Sequence, residues 1–178
     1  MGIRKLDPWK RPPVSITLVQ YFLDKKNSLK QLANANLLLA ALNLFLRDCA
    51  DLGHYAYEID PDTGAQISGS KGGAGDGGFR TPSSTTGSKL STHRDANGAD
   101  VSDTLRLLAT FCVTTAGKEL LAKHGLWMED PRWTPCWCHL QRVPPSSGKR
   151  IYIPSISKPL APALPGQPPI PFTIKKEF

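Results

Sequence analysis

The sequence has no long apolar run. Its longest, Leu37 to Leu46, is broken by Asn43 and falls far short of the ~20 residues that a membrane-spanning helix needs. No signal-peptide h-region follows directly on Met1 to Pro13, which carries four basic side chains, so no cleaved signal peptide is expected. Cysteine is scarce: Cys49, Cys112, Cys136 and Cys138 are the whole complement, and without an export signal reduced thiols are expected rather than disulfides. Blocks of like charge are missing too. The net charge of +7 is spread along the chain, with only short pairs such as Lys25-Lys26, Lys149-Arg150 and Lys175-Lys176. A basic surface attracts polyanions of several kinds, but there is no aromatic-basic stripe or nucleic-acid motif, so no nucleic-acid partner is expected. No internal repeat is present.

What is there fits one globular core. The chain has 178 residues, 40% of them apolar and 21% charged, enough for one well-buried domain and short for two. Residues 1–27 read as an N-terminal arm with a short apolar segment, Val14 to Leu23. From Ser28 to Leu52 runs the clearest helix: Ser28 and Gln31 have capping-box spacing, Gly53 supplies a C-cap, and leucines on more than one face predict a mostly buried helix. Tyr55 to Ile59 and Ala65 to Ser68 read as a strand pair around a turn at Asp60 to Gly64. Between Gly69 and Gly87 lie seven glycines, read as a loop over a site rather than a linker. Residues 102–124 give a second helix, with Ser102 as N-cap and Gly125 ending it. Leu126 to Met128, Cys136 to Leu140 and Ile151 to Ile153 read as short strands. Nine prolines between Pro144 and Pro171 make residues 154–178 an extended, polyproline-like tail that could dock on a protein partner. The fold class is therefore α+β, a small, mostly antiparallel sheet with flanking helices spanning residues 28–153.

A catalytic zinc takes three N or O ligands and keeps one position open. His93 and Asp100, seven residues apart across a glycine-containing turn, with His139 on a strand 39 residues later, offer two imidazoles and one carboxylate. By spacing alone the signal is weak, because a His beside an Asp is commonly a structural pair. Cys136, Cys138 and His139 lack a second cysteine pair, and strand alternation splits them between two faces, so they read as buried free thiols. Gly72 to Gly78 lacks the Gly-Lys-Ser/Thr of a phosphate loop. Trp127, Trp133 and Trp137 read as packing, with Trp133, in a loop, open to a second use as a substrate wall. His54 and His124 fall near helix ends as capping or surface groups.

Ser91-Thr-His93 followed by Asp100 resembles the SxHxxGxAxD signature of the M15 family of zinc D-Ala-D-Ala carboxypeptidases and phage endolysin peptidases, which share their fold with the Hedgehog signalling domain. Ile67-Ser-Gly69, Gly78-Phe-Arg80-Thr-Pro82 and Gly87-Ser-Lys-Leu-Ser-Thr-His93 resemble that family's strand, its GFRTP loop and its approach to the first ligand, and Trp137-Cys-His139 resembles its WxH strand. The resemblance implies a Hedgehog/DD-peptidase-like fold, a Zn2+ ion on His93, Asp100 and His139, and Arg80 in contact with substrate. It also implies action on the peptide part of bacterial peptidoglycan, in a protein of bacterial or phage origin. Ala96 stands where the family has glycine, and Cys136 where its best-known members carry the catalytic carboxylate. Glu129 and Asp130, in the preceding loop, are then the alternatives for the general base. A protein that keeps the metal but lacks a base would instead be a non-catalytic structural or wall-binding module, of a phage particle for example.

Overall fold

Two capping boxes start the first two helices. Ahead of helix α1 (Leu18–Phe22) stands Thr17, and ahead of helix α2 (Leu29–Asp51) stands Ser28. Each hydroxyl accepts the backbone N–H three residues on, while the Gln there returns a bond to the cap's own N–H. The box predicted at Ser28 and Gln31 is thus formed, with Gln31 N to Ser28 Oγ at 3.2 Å and Ser28 N to Gln31 Oε1 at 2.8 Å. The computed structural model describes residues 15–54, 67, 77–85, 89–154, 162–165 and 167. The expected strand at Tyr55 to Ile59, the expected strand Ala65 to Ser68 apart from Ile67, most of the glycine-rich stretch and most of the tail lie outside the described residues.

Helix α2 buries a stripe, Ala35, Leu38, Leu42, Phe45 and Cys49, at the spacing of one helical face. Leu37 and Leu44 on the other side remain 55% and 43% exposed, so α2 is buried on one face and not all round. By length and composition it could cross a membrane; here its apolar stripe belongs to the core.

The segment ahead of Ser28 is woven into that core. Ile16, Tyr21 and Phe22 are buried in it, Asn43 of α2 bonds both the N–H and the C=O of Ile16, and the Tyr21 hydroxyl donates to Gly98 O at 2.8 Å.

The expected single helix over 102–124 is two. Ser102 belongs to strand β1 (Gly98–Ser102), and the helical segments are α3 (Leu107–Cys112) and α4 (Thr115–Lys123). Asp103 starts the first by accepting Leu108 N and Ala109 N on its two oxygens. Thr114 interrupts: its hydroxyl accepts Gly117 N at 3.1 Å and opens a new helix. A threonine that can cap competes with continued helix, and the turn at 113–114 lets α4 fold back on α3.

Strands β1, β2 (Trp127–Glu129), β3 (Trp137–Gln141) and β4 (Ile151–Tyr152) form one sheet in the order β1-β3-β2-β4. Two pairings are antiparallel and the β2–β4 pair is parallel, so the sheet is mixed. Side chains alternate. Ala99, Val101, Met128, Cys138 and Leu140 point into the hydrophobic core and are fully buried. The opposite face carries Asp100, His139, Gln141, Glu129 and Tyr152. Part of the proline-rich tail is docked: Leu164 packs against the core, Arg106 donates to Pro162 O at 3.1 Å and Gln167 to Asp130 at 3.2 Å.

A β-carbon on Gly117 would stand 2.2 Å from Phe111 O and 2.6 Å from the Cys112 Cα, both backbone atoms. Gly117→Ala is expected to push α4 off α3 and to destabilise the fold by about 1–3 kcal/mol, the usual cost of overpacking. Urea unfolding measures it; an unchanged midpoint would contradict this packing.

Candidate metal centre

Three elements bring the site together. Asp100 lies at the centre of β1, where the register pairs it directly with His139 of β3. His93 arrives from a tight turn, residues 92–96, closed by Asn97 N to Thr92 O at 2.9 Å and Ala96 N to His93 O at 3.2 Å. Helix α2 holds this turn from outside, through Gln31 to Arg94 O and Asn34 to Asp95 O. Ala96 has φ +56°. That left-handed conformation favours glycine, so Ala96 carries a local backbone cost.

Three donor atoms converge. His139 Nδ1 is 2.7 Å from Asp100 Oδ1, His93 Nε2 is 3.0 Å from His139 Nδ1, and His93 Nε2 is 3.3 Å from Asp100 Oδ1. All three residues are buried. A tetrahedral ion with bonds of 2.0–2.1 Å holds its ligands about 3.3 Å apart, so the spacing suits one small ion. His93 Nδ1 lies 2.7 Å from Gly78 O, which can only accept; the proton is on Nδ1 and the Nε2 lone pair faces the other two donors. Two imidazole nitrogens and a carboxylate oxygen are the donor set of zinc and similar transition metals rather than of calcium or magnesium, which prefer oxygen.

The charges around the centre are arranged to keep Asp100 ionised. Burial works against its carboxylate, but the contacts with His93 and His139 hold it well below the usual carboxylate range. Burial pushes His93 down, favouring the neutral ring that a metal needs. Burial also opposes charge on His139, but the hydrogen bond and negative charge of Asp100 outweigh it and raise that histidine. Arg80 donates to Asp100 Oδ2 at 3.0 Å. Arg80, which the resemblance would place in contact with substrate, is buried with a guanidinium nitrogen on the Asp100 carboxylate, which it orients.

Glu129 and Asp130 separate cleanly. The pairs Trp127↔Gln141 and Met128↔Leu140 carry Glu129 on to the position beside His139, and β4 sets Tyr152 on its far side. Asp100, His139, Glu129 and Tyr152 thus form one row across the sheet. Burial raises Glu129 to about 7, with Asp100 adding to the rise and His139 and Arg80 opposing it. Asp130, by contrast, takes the backbone N–H and guanidinium of Arg132 as well as Gln167. Its oxygens are engaged in a buried corner, which leaves Glu129 as the carboxylate that shares the row.

Cys138 faces the core, its thiol on Asp103 at 3.3 Å, while His139 faces Asp100 and His93; Cys136 is half-buried and free. Trp133 is buried packing. Trp127 and Trp137 are half-buried, and alternation sets them on the face of the row, one to each side of it. His124 bonds Asp48 at 2.8 Å, and His54 stacks on Phe111. Sequence reasoning missed Thr92, Gln141 and Tyr152, which lie within hydrogen-bond reach of His139 or of one another. For Gln141 the signal was the period-two alternation of β3, which puts it on the face of His139 as surely as Trp137.

Gly98 leaves room for this cluster: a β-carbon there would stand 2.3 Å from Thr92 Oγ1 and 3.0 Å from His139 Cε1. Gly98→Ala is expected to displace the His139 ring and weaken metal binding at least about tenfold, the lower range for a disturbed ligand environment. Competition with a chromophoric chelator reads this, and unchanged affinity would contradict the packing. No protein-family model, no curated protein and no solved structure matches the chain, so the geometry of these residues carries the functional reading.

Proposed function

We propose that the chain is a zinc-dependent peptidase acting on the peptide part of bacterial peptidoglycan, as a D-Ala-D-Ala carboxypeptidase or a stem-peptide endopeptidase. The observation that carries the reading is the convergence of His93 Nε2, Asp100 Oδ1 and His139 Nδ1 within 3.3 Å of one another, with a carboxylate next in the same cross-strand row. The substrate class comes from the resemblance of Ser91-x-His93, Asp100 and Trp137-x-His139 to the zinc peptidase signature.

His93, Asp100 and His139 would hold the ion. The chemistry that zinc would supply there is polarisation of a peptide carbonyl and a lowered pKa of water. The chain's own residues do the rest. Glu129, whose carboxyl pKa is raised by burial, takes a proton from the attacking water and returns it to the leaving amine, as a general base and acid does. Arg80 keeps Asp100 oriented and ionised. Half-buried Trp127 and Trp137 give the face of the row apolar walls that favour an extended peptide over bulk water. Glu129 supplies from β2 the carboxylate that the family's best-known members carry at the position of Cys136.

Removing the base while keeping its shape tests this. Glu129→Gln is expected to keep fold and zinc but to lower turnover of peptidoglycan fragments by about 10²–10⁴-fold, the usual contribution of general acid–base catalysis. Asp130→Asn is expected to lower the melting temperature more than the rate, because it weakens the Arg132 corner. Near-native turnover in Glu129→Gln would remove the base assignment. A wild-type protein that binds zinc and cuts no muropeptide would remove the peptidase reading.

A further inference from the structure

His139 has two ring nitrogens, and only one of them can face the metal ligands with a lone pair. What decides this sits behind the ring. Gln141 Oε1 is 3.2 Å from His139 Nε2, and 2.8 Å from the Tyr152 hydroxyl. The orientation of the Gln141 amide is fixed from its other end: its NH2 group meets Val143 O. Flipping the amide would set two carbonyl oxygens against each other, so the atom towards His139 is an acceptor. An acceptor requires a proton on Nε2. Thr92 Oγ1, 3.3 Å from the same nitrogen and 3.4 Å from Gln141 Oε1, completes the group.

We propose that Gln141, held by Val143 O and by Tyr152, is the positioning residue that keeps a proton on Nε2 of His139 and so turns the Nδ1 lone pair towards Asp100 and His93. The inference rests on the metal reading above and deepens it, because it names what regulates the affinity of that centre. An imidazole that donates its distal N–H is oriented, locked in one tautomer and made more basic at the ligating nitrogen. Gln141 lies on β3 opposite Trp127, and Tyr152 lies on β4. The ligand from β3 is therefore set by the far edge of the sheet, which β4 joins through its parallel pairing to β2. Gln141 is buried, so water does not compete for the Nε2–H.

The test uses the full chain, zinc as the probe, and two readouts. In wild type the His139 Nε2–H is expected as an exchange-protected downfield proton resonance, in the metal-free and the zinc-loaded protein alike, since both states keep that proton. Gln141→Met is expected to lose this resonance to solvent exchange and to bind zinc about 10–100-fold more weakly, as loss of a ligand's hydrogen-bond partner does. Gln141→Glu retains an acceptor towards Nε2 but sets its second oxygen against Val143 O, so it is expected to keep the resonance and to fall between wild type and Gln141→Met in affinity. Tyr152→Phe leaves the amide in place and is expected to fall between wild type and Gln141→Met. A Gln141→Met protein that keeps both the protected resonance and wild-type affinity overturns the proposal, as does a wild type whose His139 is protonated on Nδ1 alone. A wild type that shows the Nε2–H resonance but takes up no zinc overturns the metal reading and leaves the Gln141 assignment standing. If Gln141→Met does not fold, Tyr152→Phe decides: no change in either readout counts against the proposal.

Discussion

The rest of the structure depends on Asp100, a carboxylate held 5% exposed at the centre of a sheet. A buried charge of this kind is expensive unless it is matched, and Asp100 is matched on every side. Arg80 takes one oxygen, and two imidazoles crowd the other. The structural elements exist in the arrangement that makes this match. The β1–β3 register sets His139 opposite, the turn at 92–96 brings in His93, and the 77–80 segment delivers Arg80 together with the carbonyl that fixes the His93 tautomer. Around that centre the apolar face of the same strands is closed by α2, α3 and α4, so the chemistry stands on a rigid layer and not on loops alone.

Period-two alternation divides the sheet into a core side and a chemical side, and short-range caps settle where the chain turns. Tyr21 shows how closely the two are joined. It is a core residue from α1, yet its hydroxyl bonds Gly98 O and its own carbonyl accepts Phe79 N. The same carbonyl would stand 2.3 Å from a β-carbon on Gly78, so a glycine is needed at the position whose C=O meets His93. Packing of the N-terminal segment and the geometry of the centre are therefore one problem.

Much of this was legible in the sequence. The Ser28–Gln31 box and the strand through Cys136 to Leu140 could be read from residue type and spacing, whereas the convergence of His93, Asp100 and His139 was a weak signal by spacing and was implied by the resemblance to the zinc peptidase signature. Local chemistry that competes with a longer pattern could not. Apolar spacing ran a helix from 102 to 124, but Asp103 and Thr114 cap shorter ones, and a cap is decided by which backbone N–H its oxygen can reach in three dimensions. Leucines on more than one face of α2 predicted a mostly buried helix, whereas one face packs and Leu37 and Leu44 stay exposed. Glu129 and Asp130 are neighbours that sequence could not tell apart; alternation sends one to the metal row and Arg132 claims the other. Gln141 carries no motif signal at all, and its part emerges only from the atoms around it.

The central claim is that the lone pairs of His93 Nε2 and His139 Nδ1 and the Asp100 carboxylate meet in order to hold one metal ion. Elemental analysis of protein purified without chelator, combined with zinc titration of wild type, His93→Ala and His139→Ala, tests it most directly. The account predicts about one ion per chain in wild type and loss of that ion in both variants, since a three-ligand site left with two no longer meets the usual coordination of a protein zinc site. Wild-type protein that neither retains nor takes up a metal, or full metal content in both variants, would contradict it.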